Sequence, residues 1–253
     1  MPIYHSLKAA FVRVPKTAST SVCDKLYSLD SFARYSSYAN GIIPPRQALP
    51  LAKHEKIIDI KDNMLDEHFD DYYKFGFVRN PWDWLVSYYF YFKKLNLADD
   101  DQNPGKLLIL SGGAMKVAGS DVDDLGKKIK EKREIGNISF KEFLLIIKGE
   151  SENYKKGRNL NQIEYPYQPQ HGYLVDEDEN LMVDFVGKYE NLSIDWGHLC
   201  DRLKLANCRH SDMNLMCHNQ SAHLDYRSYY DESTAEMVYD VYRKDIELFD
   251  YSF

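Results

Sequence analysis

Residues 8–21, KAAFVRVPKTASTS, decide the fold because an apolar run and a polar loop lead directly into a helical pattern. The run over 8–14 predicts a short buried strand, and the apolar spacing over 21–29 predicts a helix. Between them, VPKTASTS holds one lysine and several hydroxyl residues. A loop at a helix N-terminus presents N–H groups and the positive end of the helix dipole, so it is either an ordinary capped turn or a binding site for an anion.

The composition of this loop fits a phosphate or a sulfate. Backbone N–H groups from Thr17 to Ser21 would supply donors, and Lys16 would supply a full positive charge. The loop is not a Walker A loop, because the glycine pattern of that motif is absent and the lysine leads the loop instead of closing it. The residues of the predicted cradle are Thr17, Ala18, Ser19, Thr20 and Ser21.

A second anion-binding motif is predicted in FGFVRNPWDWLVSYY. The run over 72–80 predicts a strand that ends near Arg79, and Pro81 after an Asn cap starts a long helix. Ser87 is expected on the face of this helix that looks back at the strand end. Arg79 and Ser87 would then surround one point at the carboxyl edge of the sheet, where open α/β sheets bind ligands. The alternative is that Arg79 pairs with a surface carboxylate and Ser87 is an ordinary helix residue.

The remaining chain adds a third strand and several helices. LMVDFVGKYENL (181–192) predicts a buried strand. A helix, or a strand followed by a helix, is predicted over 55–68, and helices are predicted over 139–148, 193–205 and 231–249. Ser139, with Glu142 three residues later, gives one of them a capping box. Strands that alternate with helices favour a single α/β domain over 1–253, with a parallel sheet flanked by helices on both faces. Residues 96–136 carry charge and glycine, which predicts an insertion or mobile excursion.

Composition limits the class of partner and the setting. The chain has 253 residues with 32 Lys and Arg against 39 Asp and Glu, a formal net charge of -7, so no broad basic surface for nucleic acid is indicated. Four cysteines without Cys-x-x-Cys spacing, together with no secretory pattern, predict reduced thiols and a cytoplasmic location. No apolar run approaches the ~20 residues of a transmembrane helix, so no transmembrane segment is expected.

Taken together, the two motifs resemble those of sulfotransferases that use 3′-phosphoadenosine 5′-phosphosulfate (PAPS). VPKTASTS resembles their 5′-phosphosulfate loop and FVRNPWDWLVSYY their 3′-phosphate motif. The pattern is closest to the carbohydrate (membrane-type) branch and, in the loop, to uronosyl 2-O-sulfotransferases. The resemblance continues in VDFVGKYENL and in YYDESTAEMVYDVYRKDIELFDY, and it spans most of the chain apart from 96–136. The chain departs from the pattern at Trp84, where many relatives carry an arginine, and at Ser19, where relatives often carry a glycine that suits a positive φ.

The resemblance implies a P-loop-NTPase-like fold and a set of site residues. Lys16 and the backbone of Thr17–Ser21 would hold the 5′-phosphosulfate, and Arg79 and Ser87 the 3′-phosphate. The product nucleotide would be 3′,5′-adenosine bisphosphate (PAP), and no metal would be required.

Sulfuryl transfer to a hydroxyl needs a base for the acceptor proton and positive charge near the leaving oxygen. Lys16 is placed to stabilise the leaving group. His54 is the predicted base, because imidazole titrates near working pH and KHEKIIDI resembles the histidine version of this segment in relatives. Glu55 and His68 are alternative bases, and an ordinary surface histidine is the alternative without a catalytic role.

Two further segments leave alternatives open. Cysteines and histidines gather in 198–218, where the spacing favours buried or loop residues over a zinc site. The loop YPYQPQHGY (165–173) suits either a sugar, through Gln168, Gln170 and His171, or packing stiffened by proline.

The expected function is transfer of a sulfuryl group from PAPS to an acceptor hydroxyl, with a carbohydrate as the expected acceptor. A glycolipid head group or a small alcohol is an alternative acceptor. A small-molecule kinase and a catalytically silent nucleotide- or glycan-binding module are the alternative functions. The sequence does not indicate an oligomeric state.

Overall fold

The computed structural model describes most of the chain in separate stretches. These are residues 3–4, 6–29, 54–63, 66–97, 137–155, 166, 168–205, 208 and 223–253. The predicted insertion over 96–136 lies outside the described residues, apart from its first two positions.

The chain divides into two compact units, and each is built from separate segments. The first comprises Met1–Pro81, Pro169–Gln220 and Lys244–Ser252, and the second comprises Trp82–Gln168, Ser221–Arg243 and Phe253. The single domain over 1–253 stays a prediction.

The first unit contains the sheet. Its strands are β1 (Ile3–Tyr4), β2 (Ala9–Val12), β3 (Tyr73–Val78) and β4 (Phe185–Lys188), hydrogen-bonded in that order. β2, β3 and β4 run parallel, with Val78 opposite Lys188 at the carboxyl edge. β1 is antiparallel to β2 because a tight turn joins them, in which the Leu7 N–H donates to the Tyr4 carbonyl (3.2 Å). The α/β class is confirmed, but the sheet of described strands is mixed and not wholly parallel.

Seven α-helices accompany these strands in the described residues. They are α1 (Ser19–Leu29), α2 (Ile57–Asn63), α3 (Asp66–Phe69), α4 (Pro81–Leu97), α5 (Phe140–Lys155), α6 (Leu192–Arg202) and α7 (Glu232–Leu248). Within the described stretches, no helix combines the length and the apolar character that crossing a membrane requires.

Helices of the first unit pack on both faces of the sheet. Neighbouring residues of a strand point to opposite faces, and β2 shows this directly. Val12 belongs to a buried cluster with Ile60 of α2, whereas Phe11 belongs to another with Leu26 of α1 and Trp196 of α6. The prediction of helices on both faces is therefore confirmed.

Predicted and observed elements agree in kind but differ in their bounds. The strand predicted over 181–192 narrows to β4, because Tyr189–Asn191 forms a short 3-10 turn that leads into α6. The segment 55–68, predicted as a helix or as a strand followed by a helix, contains two helices, α2 and α3. α5 continues beyond the predicted end at residue 148 to Lys155.

Side-chain caps start two helices of the second unit. The Ser139 N–H and hydroxyl donate to the Glu142 carboxylate (2.8 and 2.6 Å), and the Glu142 N–H donates back to the Ser139 hydroxyl (3.3 Å). This confirms the predicted capping box at α5. At α7 the Asp231 carboxylate accepts from the N–H and the hydroxyl of Thr234 (both 2.8 Å), and these hydrogen bonds hold the pKa of Asp231 far below its usual range.

Aromatic side chains fill the core of the second unit. Trp84 is 1% exposed and meets the rings of Tyr88 and Tyr242 edge to face, with ring centres 5.1 and 5.8 Å apart. Tyr88 in turn packs on Phe92, one helical turn further along α4. Trp84, at which the sequence departs from the motif, is therefore a buried core residue of the second unit.

The cysteines of the first unit differ from the expectation of reduced thiols. Cys200 and Cys208 form a disulfide, so that prediction is wrong for this pair. Cys23 on α1 is a buried free thiol, and burial raises its pKa.

Candidate active site at the carboxyl edge of the sheet

The loop after β2 turns tightly into α1. The Thr17 hydroxyl donates to the Val14 carbonyl (2.9 Å), and Thr17 is fully buried. The Val22 N–H donates to the Ala18 carbonyl (3.1 Å), which makes Ala18 the residue that caps α1. The N–H groups of Ser19–Ser21 therefore belong to the first helical turn, whose donors have no acceptor within a helix. The predicted strand, loop and helix are confirmed, and the dipole of α1 points its positive end at this loop.

Two residues of the loop adopt left-handed backbone conformations. Lys16 has φ 63° and Ala18 has φ 60°, although neither is a glycine. Ser19, where relatives often carry a glycine, instead begins α1. The conformation that favours glycine thus falls one residue earlier, on Ala18, at a cost of about 1–2 kcal/mol for a residue with a Cβ atom. Left-handed residues in a tight turn direct successive N–H groups to one side, which is a known arrangement for anion binding.

Arg79 joins the second motif to this loop. Arg79 follows the last residue of β3, and its Nη1 donates to the Lys16 carbonyl (3.4 Å). The guanidinium lies over the ring of Tyr189, 4.1 Å from the ring centre. The first residues after β3 and β4 therefore meet the loop after β2 at the carboxyl edge of the sheet. Sequence reasoning missed Tyr189, although its position directly after a parallel strand was a usable signal.

Two side chains and one main-chain carbonyl bind Arg79 and the residue that follows it. The amide of Gln170 accepts from the Arg79 N–H (2.8 Å) and donates to the Arg79 carbonyl (2.7 Å). The next residue, Asn80, donates its N–H to the Glu190 carboxylate (2.7 Å) and its side-chain amide to the Ser252 carbonyl (2.9 Å). This corner is held by segments that lie far apart in the sequence, so its contacts could not be found from local pattern.

His54 contacts the strand end that leads into the loop. Its Nδ1 lies 2.6 Å from the carbonyl of Arg13, the residue that follows β2. A carbonyl only accepts, so Nδ1 carries the hydrogen and Nε2 of the neutral ring carries the lone pair. This tautomer suits a residue that takes up a proton at Nε2. Of the alternative bases, Glu55 is half-buried beside His54, and the half-buried His68 lies on α3.

Ser87 lies on α4, as predicted, and is 2% exposed. Its role beside Arg79 stays a prediction from the sequence.

Of the two roles predicted for the loop over 165–173, sugar binding or packing, the structure favours packing for two residues. Gln170 is fully buried and binds the Arg79 backbone. His171 is 9% exposed, and its Nδ1 donates to the Asp245 carboxylate (2.6 Å). Both residues are thus committed to contacts inside the first unit, and Gln168 is half-buried.

Metal ligands do not converge in the part of the chain that the structure describes, where no group of three or more His, Cys, Asp or Glu side chains is placed to hold an ion. In the segment 198–218, Cys200 and Cys208 pair with each other. His210, Cys217 and His218 lie outside the described residues.

The opposite, amino edge of the sheet carries a cavity of about 560 Å³. Lys74 at the start of β3 lies in its wall, donates to the Tyr72 carbonyl (2.8 Å) and pairs with the Asp184 carboxylate (3.3 Å). The Lys74 N–H also donates to Asp184 (2.6 Å). This cavity lies at the other end of the strands from the loop and from Arg79, so it is separate from the candidate site.

Comparison with known proteins identifies a family. A family model described as the sulfotransferase family matches residues 3–252. The searches of curated proteins and of solved structures each find no match.

Proposed function

Because the chain belongs to the sulfotransferase family, we propose that it transfers a sulfuryl group from PAPS to an acceptor hydroxyl of a carbohydrate. The observation that carries the proposal is the contact between Arg79 Nη1 and the Lys16 carbonyl (3.4 Å), which joins the two predicted phosphate motifs at one edge of the sheet. Two anion-binding groups at neighbouring strand ends suit a donor that carries phosphate at both its 3′ and 5′ positions.

The loop fits the 5′ end of this donor. The first-turn N–H groups of Ser19–Ser21 and the positive end of α1 favour an anion, and the buried hydroxyl of Thr17 fixes the turn that presents them. Lys16 adds a full positive charge and is half-buried. In the proposal the bond between sulfur and the bridging oxygen of PAPS breaks, and Lys16 stabilises the negative charge that develops on this oxygen, which leaves with PAP.

Arg79 fits the 3′ end. A guanidinium presents N–H donors in a planar fork that matches phosphate, and stacking on Tyr189 restricts its orientation. Ser87, proposed from the sequence motif, would add a hydroxyl donor.

His54 is proposed as the base. When PAPS is bound, it supplies the sulfuryl group and a nucleotide that leaves as PAP. The acceptor oxygen forms the new bond to sulfur, and His54 Nε2 takes the proton of the acceptor hydroxyl. The hydrogen bond from Nδ1 to the Arg13 carbonyl (2.6 Å) holds the required tautomer, because the hydrogen stays on Nδ1 while Nε2 accepts. No metal enters this proposal.

A thermal-shift comparison tests the proposed donor. A ligand that binds only the folded protein stabilises it by about 2.7 kcal/mol at a hundred times its dissociation constant. We expect PAP to raise the melting temperature strongly and ATP with magnesium to leave it unchanged. Stabilisation by ATP with magnesium but not by PAP would instead favour a kinase.

A further inference from the structure

A buried polar network lies behind Arg79, on the first unit. Gln170 and Asp245 at its centre are each fully buried, and His171 is 9% exposed. A buried polar group is costly unless its hydrogen bonds are made, so a network of this kind fixes the positions of its members.

The side chain of Gln170 hydrogen-bonds to both backbone polar groups of Arg79. Its Oε1 accepts from the Arg79 N–H (2.8 Å), and its Nε2 donates to the Arg79 carbonyl (2.7 Å). Arg79 is the first residue after β3. The Gln170 amide pairs with the Arg79 backbone as a neighbouring strand would, through one donor and one acceptor. This pairing fixes the peptide from which the Arg79 side chain extends.

Asp245 holds Gln170 from behind. Its two carboxylate oxygens accept from the N–H groups of Gln170 and His171, both at 2.8 Å. One of these oxygens also accepts from His171 Nδ1 (2.6 Å). Three donors on one fully buried carboxylate fix the loop that carries Gln170 to the C-terminal part of α7.

The guanidinium of Arg79 is confined at its far end as well, by the Tyr189 ring and the Lys16 carbonyl. Its position is therefore restrained both at the guanidinium, by the Tyr189 ring and the Lys16 carbonyl, and at the backbone, where Gln170 binds. The guanidinium is at the end of a long side chain, so a small rotation of the Arg79 peptide would displace it far enough to leave the Tyr189 ring.

We propose that Gln170, held by Asp245, is a positioning residue for Arg79. Through this effect Gln170 and Asp245 determine how strongly the protein prefers nucleotides with a 3′-phosphate. The proposal rests on the proposed function, because it assigns the 3′-phosphate to Arg79. Gln170 itself touches no ligand in this scheme. It acts by aligning the guanidinium fork with the phosphate oxygens.

Calorimetric titration with two probes tests this proposal. The probes are 3′,5′-adenosine bisphosphate and adenosine 5′-monophosphate, which differ only in the 3′-phosphate. We expect the wild-type protein to bind the bisphosphate more tightly. Gln170→Met keeps the length of the side chain but removes both hydrogen bonds, and we expect it to weaken bisphosphate binding about tenfold while monophosphate binding stays unchanged.

A matched control and a second variant separate this role from a loss of folding. Asn180→Leu removes an exposed amide from the same stretch of chain and should bind both nucleotides as the wild type does. Asp245→Asn keeps the shape of the buried carboxylate but weakens its three hydrogen bonds, so it should reduce the preference in the same direction. It decides the question if Gln170→Met does not fold.

The outcomes distinguish the two levels of the account. A preference for the bisphosphate that survives in the variants, or an equal loss of affinity for both nucleotides, would overturn the positioning role and leave the proposed function standing. Failure of the wild-type protein to bind either nucleotide would overturn the proposed function and this inference with it.

Discussion

The two edges of the sheet each hold a buried basic residue, one at the start of β3 and one directly after its end, but the two residues have different surroundings. At the amino edge, Lys74 is paired with the Asp184 carboxylate and a main-chain carbonyl. At the carboxyl edge, Arg79 lies against the Lys16 carbonyl and the Tyr189 ring, close to the N-terminal turn of α1. The cavity of about 560 Å³ lies at the amino edge.

The difference teaches that the size of a cavity and the burial of a cation do not identify a site. The ion pair at the amino edge balances the charge of Lys74 with an acid of the same protein. The carboxyl edge combines two basic residues with the N-terminal turn of α1, whose positive dipole end favours an anion. We therefore assign a role in stability to the amino edge and a role in catalysis to the carboxyl edge. The following substitutions test that assignment.

The largest effect is expected from His54→Ala at the carboxyl edge. Loss of a general base lowers turnover by about 10²- to 10⁴-fold, while PAP binding should survive because the imidazole is not a phosphate contact in this account. Turnover is measured by sulfate transfer and PAP binding by calorimetry. His198→Ala, at an exposed histidine on α6, is the control and should not change either. Near-normal turnover in His54→Ala would exclude the role of His54 as base.

Lys16→Met is expected to lower turnover by about 10²- to 10³-fold, because the charge that stabilises the leaving oxygen is removed. Steady-state kinetics with PAPS should show the loss in kcat as well as in the affinity for the donor. Lys61→Met, at an exposed lysine in the wall of the amino-edge cavity, is the matched control. Equal effects of these two substitutions would remove the distinction between the edges.

Lys74→Met, at the amino edge, is expected to lower stability and leave turnover unchanged. The substitution breaks the contacts with Asp184 and the Tyr72 carbonyl and should destabilise the protein by about 1–3 kcal/mol. Activity per folded molecule should not change, since the amino edge takes no part in the chemistry. Denaturant unfolding and kinetics on the same sample check both statements. A loss of turnover without a loss of stability would place function at the amino edge.

The smallest effect is expected from Ala18→Gly. At φ 60° the Cβ atom of alanine is strained, and its removal should stabilise the protein by about 1 kcal/mol, less the entropy that glycine gains in the unfolded chain. Ala18→Val should destabilise it, because a branched side chain suits this conformation less well. Urea midpoints measure both changes. If Ala18→Gly were destabilising, the strain would not lie where the structure places it.

The sequence predicts much of the fold because its elements follow local patterns. The strand, loop and helix around VPKTASTS, the strand before Arg79 and the capping box of Ser139 and Glu142 all follow from spacing and cap chemistry. The antiparallel β1 was missed because two residues are too few for a periodic signal.

The candidate site divides in the same way. Lys16, Arg79 and His54 could be predicted as site residues because each lies in or beside a recognisable motif, and their roles stay predictions. The hydrogen bonds between Gln170 and the Arg79 backbone were missed because they join residues 91 positions apart. Gln170 and His171 were weighed as sugar contacts on composition alone, and their burial decides against exposed roles.

Transfer of label from sulfur-radiolabelled PAPS across a panel of neutral and anionic saccharides, a glycolipid head group and small alcohols tests the central claim most directly. The account predicts that the wild-type protein transfers label to a carbohydrate hydroxyl and releases PAP, and that His54→Ala does not. Absence of transfer to every acceptor by wild-type protein that binds PAP would contradict the claim and favour a silent nucleotide-binding module.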